Sequence, residues 1–185
     1  MKKTILAVAV AVGLAMGASA HAELVVNGGF ETGDLTGWTN TGNFTGVDTS
    51  ANTGTYAAYL GTTSGLGHLF QTISTIAGTL YDFSFAYASD GGTPNAFTAS
   101  FDGNTLFSTT NDPVHGYQNY NFAVVASTNS TVIDFGERND PSYLHLDDVS
   151  VNASAVPEPE TLALLGLGLL GVAASRRKSA KSNNA

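Results

Sequence analysis

From Val25 to Val151 apolar and polar residues alternate over short runs, and clusters of Gly, Asn, Asp and Thr separate the runs. A period of two is the mark of a half-buried strand. The pattern predicts strands over roughly 56–60, 67–74, 79–88, 96–101, 104–109, 117–126, 130–136 and 143–151, with a first strand near 24–27. No coiled-coil or long helical period interrupts them, and no segment repeats at a spacing of about 20 to 50 residues. The fold class expected is all-β, a β-sandwich or jelly roll.

The clearest strand is "TLYDFSFAYAS", where Tyr81, Phe83, Phe85 and Tyr87 share one parity and Asp82, Ser84 and Ala86 the other. Four aromatics on one face either fill the interior or form a stacking platform for sugar rings, and a sandwich that must fill its core favours the first use. "AFTASFDGNTLFSTT" reads as a hairpin turning at Asp102-Gly103, residue types that tolerate positive φ. In "YQNYNFAVVAS", Tyr120, Phe122 and Val124 point inward and leave Tyr117, Asn119 and Asn121 outside. Those three are candidates for binding sugar hydroxyls and are equally ordinary solvent-facing residues. Trp38 is a fourth ligand-binding candidate, or else a plug at the sandwich end.

Both ends of the chain are apolar. Lys2 and Lys3 precede a run from Ile5 to Ala18, and "ASAHA" supplies small residues before a cut ahead of His21 or Glu23. This is the pattern of a secretory signal peptide, residues 1–22, rather than a first transmembrane helix. At the other end, Val156, Pro157, Glu158 and Pro159 lead through a linker over 154–160 into a short apolar helix over 161–175, and Arg176, Arg177 and Lys178 open a basic tail over 176–185. The apolar stretch from Leu162 to Ala174 has 13 residues, a span of roughly 20 Å against a hydrocarbon core of about 30 Å. Basic residues stay cytoplasmic, which puts both termini of the precursor inside and the body outside. The order of Pro-Glu-Pro, short Leu/Gly/Ala helix and Arg-rich cluster closely resembles the PEP-CTERM sorting signal. That resemblance implies a Gram-negative producer, a transient inner-membrane anchor and removal of the segment by an exosortase, after signal peptidase has acted at the other end. A plain tail anchor is the alternative.

Composition narrows the function of the exported part. Between Glu23 and Val156 stand thirteen Asp and Glu residues against one base, Arg138, a net charge near −12. Nucleic acid and anionic membranes would repel such a surface. The chain has no Cys, which excludes disulfides and thiolate metal sites. His68, His115 and His145 have no zinc-site spacing, and no G-x-S-x-G elbow accompanies the many serines.

Two stretches carry more information. "VVNGGFETGDLTGW" joins an Asn-Gly-Gly turn, Phe30, Glu31 and Trp38; "YLHLDDVSV" places Asp147 and Asp148 side by side in an apolar strand. An acid turned into the core is costly without a proton, a hydrogen-bond network or a cation. These stretches resemble the opening and closing strands of galactose-binding-like jelly rolls, the fold of many carbohydrate-binding modules. The resemblance implies a single sandwich over 23–153 with adjacent termini and a structural Ca2+ held by Glu31 and Asp147, with Asp148 as substitute; oxygen ligands of this kind suit calcium. The function expected is a non-catalytic protein of the cell surface or extracellular matrix that binds extracellular polysaccharide. A biofilm or floc matrix protein without glycan specificity and a small glycan-active hydrolase are the alternatives.

Overall fold

The computed structural model describes residues 23–154. The signal peptide, the sorting residues Val156 to Pro159 and Arg176 to Lys178, and the predicted apolar helix lie outside the described residues. Ten strands follow in chain order: β1 (Thr39–Asn40), β2 (Gly46–Asp48), β3 (Ala57–Leu60), β4 (Gly67–Ser74), β5 (Leu80–Ser89), β6 (Asn95–Phe101), β7 (Asn104–Thr110), β8 (His115–Val125), β9 (Ser130–Asn139) and β10 (Leu144–Ala153). Every pairing is antiparallel. Sheet I has the order β1-β4-β9-β6-β7 and sheet II the order β2-β3-β10-β5-β8. Chain neighbours such as β4 and β5 fall in different sheets, so the strands cross repeatedly between two layers in the manner of a jelly roll.

The aromatics of β5 set the core. Tyr81, Phe83, Phe85 and Tyr87 are all buried, and Phe85 meets Phe135 of sheet I edge-on with ring centroids 5.3 Å apart. Tyr87 stacks on Phe97 at 4.2 Å. The four aromatics thus fill the interior, where they exclude water from both sheets. The hairpin between β6 and β7 turns where expected, with Asp102 at φ 54° and Gly103 at φ 76°.

The strands expected from 56 onward correspond to β3 through β10. The strand expected near 24–27 does not form. Asn27 and Phe30 take positive φ, 54° and 57°, and the segment coils into turns held to β10 by two flanking bonds, Leu24 N to Val151 O at 3.2 Å and Val149 N to Gly28 O at 2.9 Å. A Cβ on residue 28 would collide with the Val149 carbonyl, so glycine is what lets the backbones meet. The two ends of the described residues are adjacent, as Glu23 accepts hydrogen bonds from Ser150, Val151 and Asn152. The short strands β1 and β2, two and three residues long, carry too little alternation to be read from sequence.

The paired acids are accommodated by a bulge. Asp147 stands opposite Ala86 and Ser150 opposite Ser84, so β10 holds one extra residue there. Asp148 takes it, at φ 50°. Leu146 and Val149 both reach the core, and neither acid has to.

Candidate functional site

Among the described residues, the outward face of sheet I is open. Register places Arg138 beside Ala96 and Thr110, then His68 beside Gly136, Thr98 and Ser108, then Phe70 beside Asp134, Ser100 and Thr105. The floor is thus made of small or hydroxyl-bearing residues, with Phe70 and His68 rising on β4. At one end the face sinks into a depression of about 530 Å³ bounded by Thr41, His68, Phe70, Ser100, Val132 and Asp134. His68 Nδ1 lies 3.0 Å from Asp134 Oδ2, and its backbone is fixed by exchange with Thr41, His68 N to Thr41 Oγ1 at 3.0 Å and Thr41 N to His68 O at 2.9 Å. A Cβ at residue 136 would strike the Thr98 hydroxyl, so Gly136 keeps the floor flat. Asp102, at the rim, has its carboxyl held below the usual range by hydrogen bonds from the Ser127 hydroxyl and amide. An apolar ring face beside a row of hydroxyls and an imidazole–carboxylate pair has the chemistry to hold a polyhydroxylated chain.

The outward face of sheet II is closed at its centre. Ala57 and Ala86 point away from the core and are still fully buried, because the loop from Thr49 to Tyr56 folds over them. Three acids hold that loop. Asp147 Oδ2 accepts from Asn52 N at 2.8 Å and Thr53 N at 3.1 Å; Asp148 accepts from the Asn52 amide and the Thr53 hydroxyl; Glu31 Oε1 accepts from Thr55 N and Tyr56 N, both at 2.9 Å. Glu31, Asp147 and Asp148 are therefore brought together on one segment. Burial pushes the Asp147 carboxyl up, against the lowering effect of its backbone donors, and Asp148 raises it further.

These residues fit a hard cation in part. Asp147 is completely buried with no Lys or Arg among its partners, and it and Glu31 both flank Gly29. Among the described residues, however, no three acidic or histidine side chains converge as a ready ligand set. A Ca2+ there would draw on Glu31, Asp147 and backbone carbonyls.

Of the ligand-binding candidates, Asn119 and Asn121 stand exposed on β8. Tyr117 leans over the closed loop and donates to Ser50 O at 2.7 Å; its hydroxyl pKa is pushed up by burial and then by Asp147, Asp48, Asp148 and Asp90. Trp38 sits in the core, 9% exposed, between Phe30 and Phe135, with its Nε1 donating to Asn27 O at 3.1 Å. The open face of sheet I was not singled out by sequence reasoning, although "GHLFQTIS" carries a signal for it. Leu69 and Ile73 turn inward, which leaves His68 and Phe70 on the outward parity, and an aromatic on the wet side of a strand is informative.

Glu137 was also unforeseen. It is fully buried at the end of β9, where it accepts from Thr62 N at 3.0 Å, Thr62 Oγ1 at 2.5 Å and Thr45 Oγ1 at 2.8 Å. It ties together the loops before β2 and before β4.

Comparison with known proteins bears on the sorting motif and on the fold. Residues 155–178 match the PEP-CTERM protein-sorting motif. No curated protein matches the chain. Among solved structures, a family 61 carbohydrate-binding module in complex with β-1,4-galactotriose is similar over 72% of this chain and 100% of its own, at 20% identity and TM-score 0.56. The C-terminal family 22 carbohydrate-binding module of Clostridium thermocellum Xyn10B is similar over 76% and 98%, at 13% identity and TM-score 0.56. The enzymatically active domain of a tailspike protein from bacteriophage CBA120 is similar too, at 14% identity and TM-score 0.54, but over only 21% of its length. The chain thus carries a PEP-CTERM sorting motif behind an all-β jelly roll of the kind found in carbohydrate-binding modules.

Proposed function

We propose that this is an exported, non-catalytic protein of the cell surface or extracellular matrix that binds polysaccharide on the outward face of sheet I. Signal peptidase frees the N-terminus, and an exosortase reads and removes the C-terminal segment in the inner membrane of a Gram-negative cell. The observation that carries the reading is the open floor of Ala96, Thr98, Ser100 and Gly136 beside Phe70 and the His68–Asp134 pair. Phe70 stacks on the apolar face of a sugar ring, while His68, Asp134 and the hydroxyls of β6 and β7 take its hydroxyl groups. A Ca2+ between Glu31 and Asp147 is part of the proposal, in a structural role that closes the opposite face.

The test is retention on polysaccharide from the producing cell and on a glycan array, with calcium present. Wild-type protein should be retained, and Phe70→Ala should bind about tenfold more weakly, in line with about 1.4 kcal/mol of lost stacking. Retention unchanged in both Phe70→Ala and His68→Ala would remove the site from this face. No retention on any glycan would leave a matrix role without glycan specificity.

A further inference from the structure

The two flanks of the sandwich end differently. On one, the sheets stop at β1 and β2, two and three residues long. On the other they stop at β7 and β8, seven and eleven residues long. An edge strand presents a row of unpaired N–H and C=O groups, and natural sheets guard such rows with brevity, charge, Pro or a covering segment. The first flank is guarded by brevity. The second is guarded neither by brevity nor by charge or Pro within its strands, since neither Asn104–Thr110 nor His115–Val125 contains an Asp, Glu, Lys, Arg or Pro. Strand β7 does carry a bulge, with Leu106 as its extra residue, and a bulge also guards an edge, which leaves β8 as the more regular of the two. The pairing of β8 is irregular only near Gly116, and from Tyr120 to Val125 it runs without a break. Leu106, Phe107, Tyr120 and Phe122 are only half-buried at this flank, with the rings of Phe107 and Tyr120 4.4 Å apart. Among the described residues, the apolar layer between the sheets therefore reaches solvent at edges that have no partner strand.

We propose that β8 is a self-association edge: a second copy of this chain adds its own β8 antiparallel to it, so that sheet II continues across two molecules. A twofold pairing that keeps inward residues with inward residues must match odd positions with odd ones. Within the stretch from Tyr117 to Val125, the longest such register centres on Asn121. It sets Asn121 opposite its own counterpart, Asn119 opposite Ala123 of the second copy, and Tyr120 opposite Phe122 of the second copy, which extends the aromatic layer across the junction. Two acidic bodies repel each other least along a strand that carries none of the charge. This inference goes beyond the glycan reading, because the pairing uses sheet II and leaves the open face of sheet I free in both copies.

The chain has no Cys, so a single introduced cysteine reports on its own surroundings. The full chain is expressed with its native leader, exported, treated with a mild copper oxidant and run on a non-reducing gel. Directly opposed strand residues have Cα atoms about 4.5 to 5.5 Å apart, within disulfide reach. Asn121→Cys should therefore appear largely as a cross-linked dimer. Ala123→Cys alone should remain monomeric, being offset from its counterpart by four residues, roughly 13 Å. The double variant Asn119→Cys/Ala123→Cys should recover the dimer. Thr72→Cys, exposed on sheet I, sets the level of random collision. A dimer yield for Asn121→Cys no greater than for Thr72→Cys overturns the proposal, as does equal cross-linking of the two single variants on β8. All three sites on β8 are exposed, so the substitutions do not disturb the core.

Discussion

Replacing Glu137 tests how the end of the sandwich beside the depression is held. The side chain is fully buried, and Thr62 is 4% exposed. Glu137→Ala removes the acceptor for Thr62 N and for the hydroxyls of Thr62 and Thr45. The Thr62 hydroxyl keeps a second acceptor in Asn43 O at 3.2 Å, and Thr45 is half-buried and can turn to water. The Thr62 N–H has neither escape. A buried donor left unpaired costs about 1 to 3 kcal/mol, and a hydrogen bond to a charged group contributes about 1.5 to 3. The net loss should therefore be about 3 kcal/mol, against about 1 kcal/mol for Glu137→Gln, whose amide oxygen still accepts one donor. The chain has one Trp, and it lies in the core, so its fluorescence during urea unfolding reports the whole sandwich. The midpoint should fall while the slope with denaturant stays unchanged. Because Glu137 steadies the loop that follows Thr41, glycan retention should weaken in step. A loss below about 1 kcal/mol for Glu137→Ala would show that the loops are held by other contacts and refute the reasoning.

Two further outcomes are expected. Removing calcium with a chelator should lower the melting temperature, since a ligand of the folded state alone stabilises it by mass action; Asp147→Ala should erase that difference, and a chelator without effect on the wild type would end the calcium proposal. For His115, burial lowers the imidazole pKa, the Gly116 carbonyl and the Asp112 carboxylate raise it, and the raising effects win. The folded form thus holds the proton more tightly than the unfolded chain, so the stabilisation is complete below about pH 6.5 and is lost as pH rises through the folded value. The stability of wild type relative to His115→Gln, measured by urea unfolding, should decline from pH 6 to pH 8, and a flat or rising difference would contradict it.

Much of the fold was legible because β5 and its neighbours obey a strict period of two. The aromatic parity of Tyr81 to Tyr87 allowed a core or a stacking platform, and the need to fill a sandwich interior favoured the core, while Asp102-Gly103 carried the residue types of a tight turn. The failures have local causes. Val25 and Val26 resemble a strand, but Asn27 commits its side chain to Asp34 O and Thr36 O and takes positive φ, so tertiary bonds override propensity. The bulge at Asp148 was hidden because an inserted residue looks like a break in alternation rather than a repair of it. The open face of sheet I depends on β4, β9 and β6 lying side by side, which is a matter of topology and not of any one segment's pattern.

The acids decide which face remains available. A sandwich offers two outward surfaces, and sequence parity treats them alike. Asp147 and Asp148 stand outward on the central strand of sheet II, and with Glu31 they supply acceptors for the backbone donors of a loop that lacks secondary structure of its own. Those donors would otherwise be satisfied only by water, so the loop settles over Ala57 and Ala86, and Tyr117 closes it from the edge through Ser50. Small residues at the centre of a sheet can mark the floor of a groove or the seat of a covering loop. On sheet II the acids make them a seat, whereas on sheet I the outward carboxylate of β9, Asp134, is engaged by His68 from the neighbouring strand rather than by a loop, and Gly136, Thr98 and Ser100 remain a floor. The carboxylates that suggested a metal site thus also close one surface of the sandwich, and the polysaccharide site proposed above therefore falls on the other.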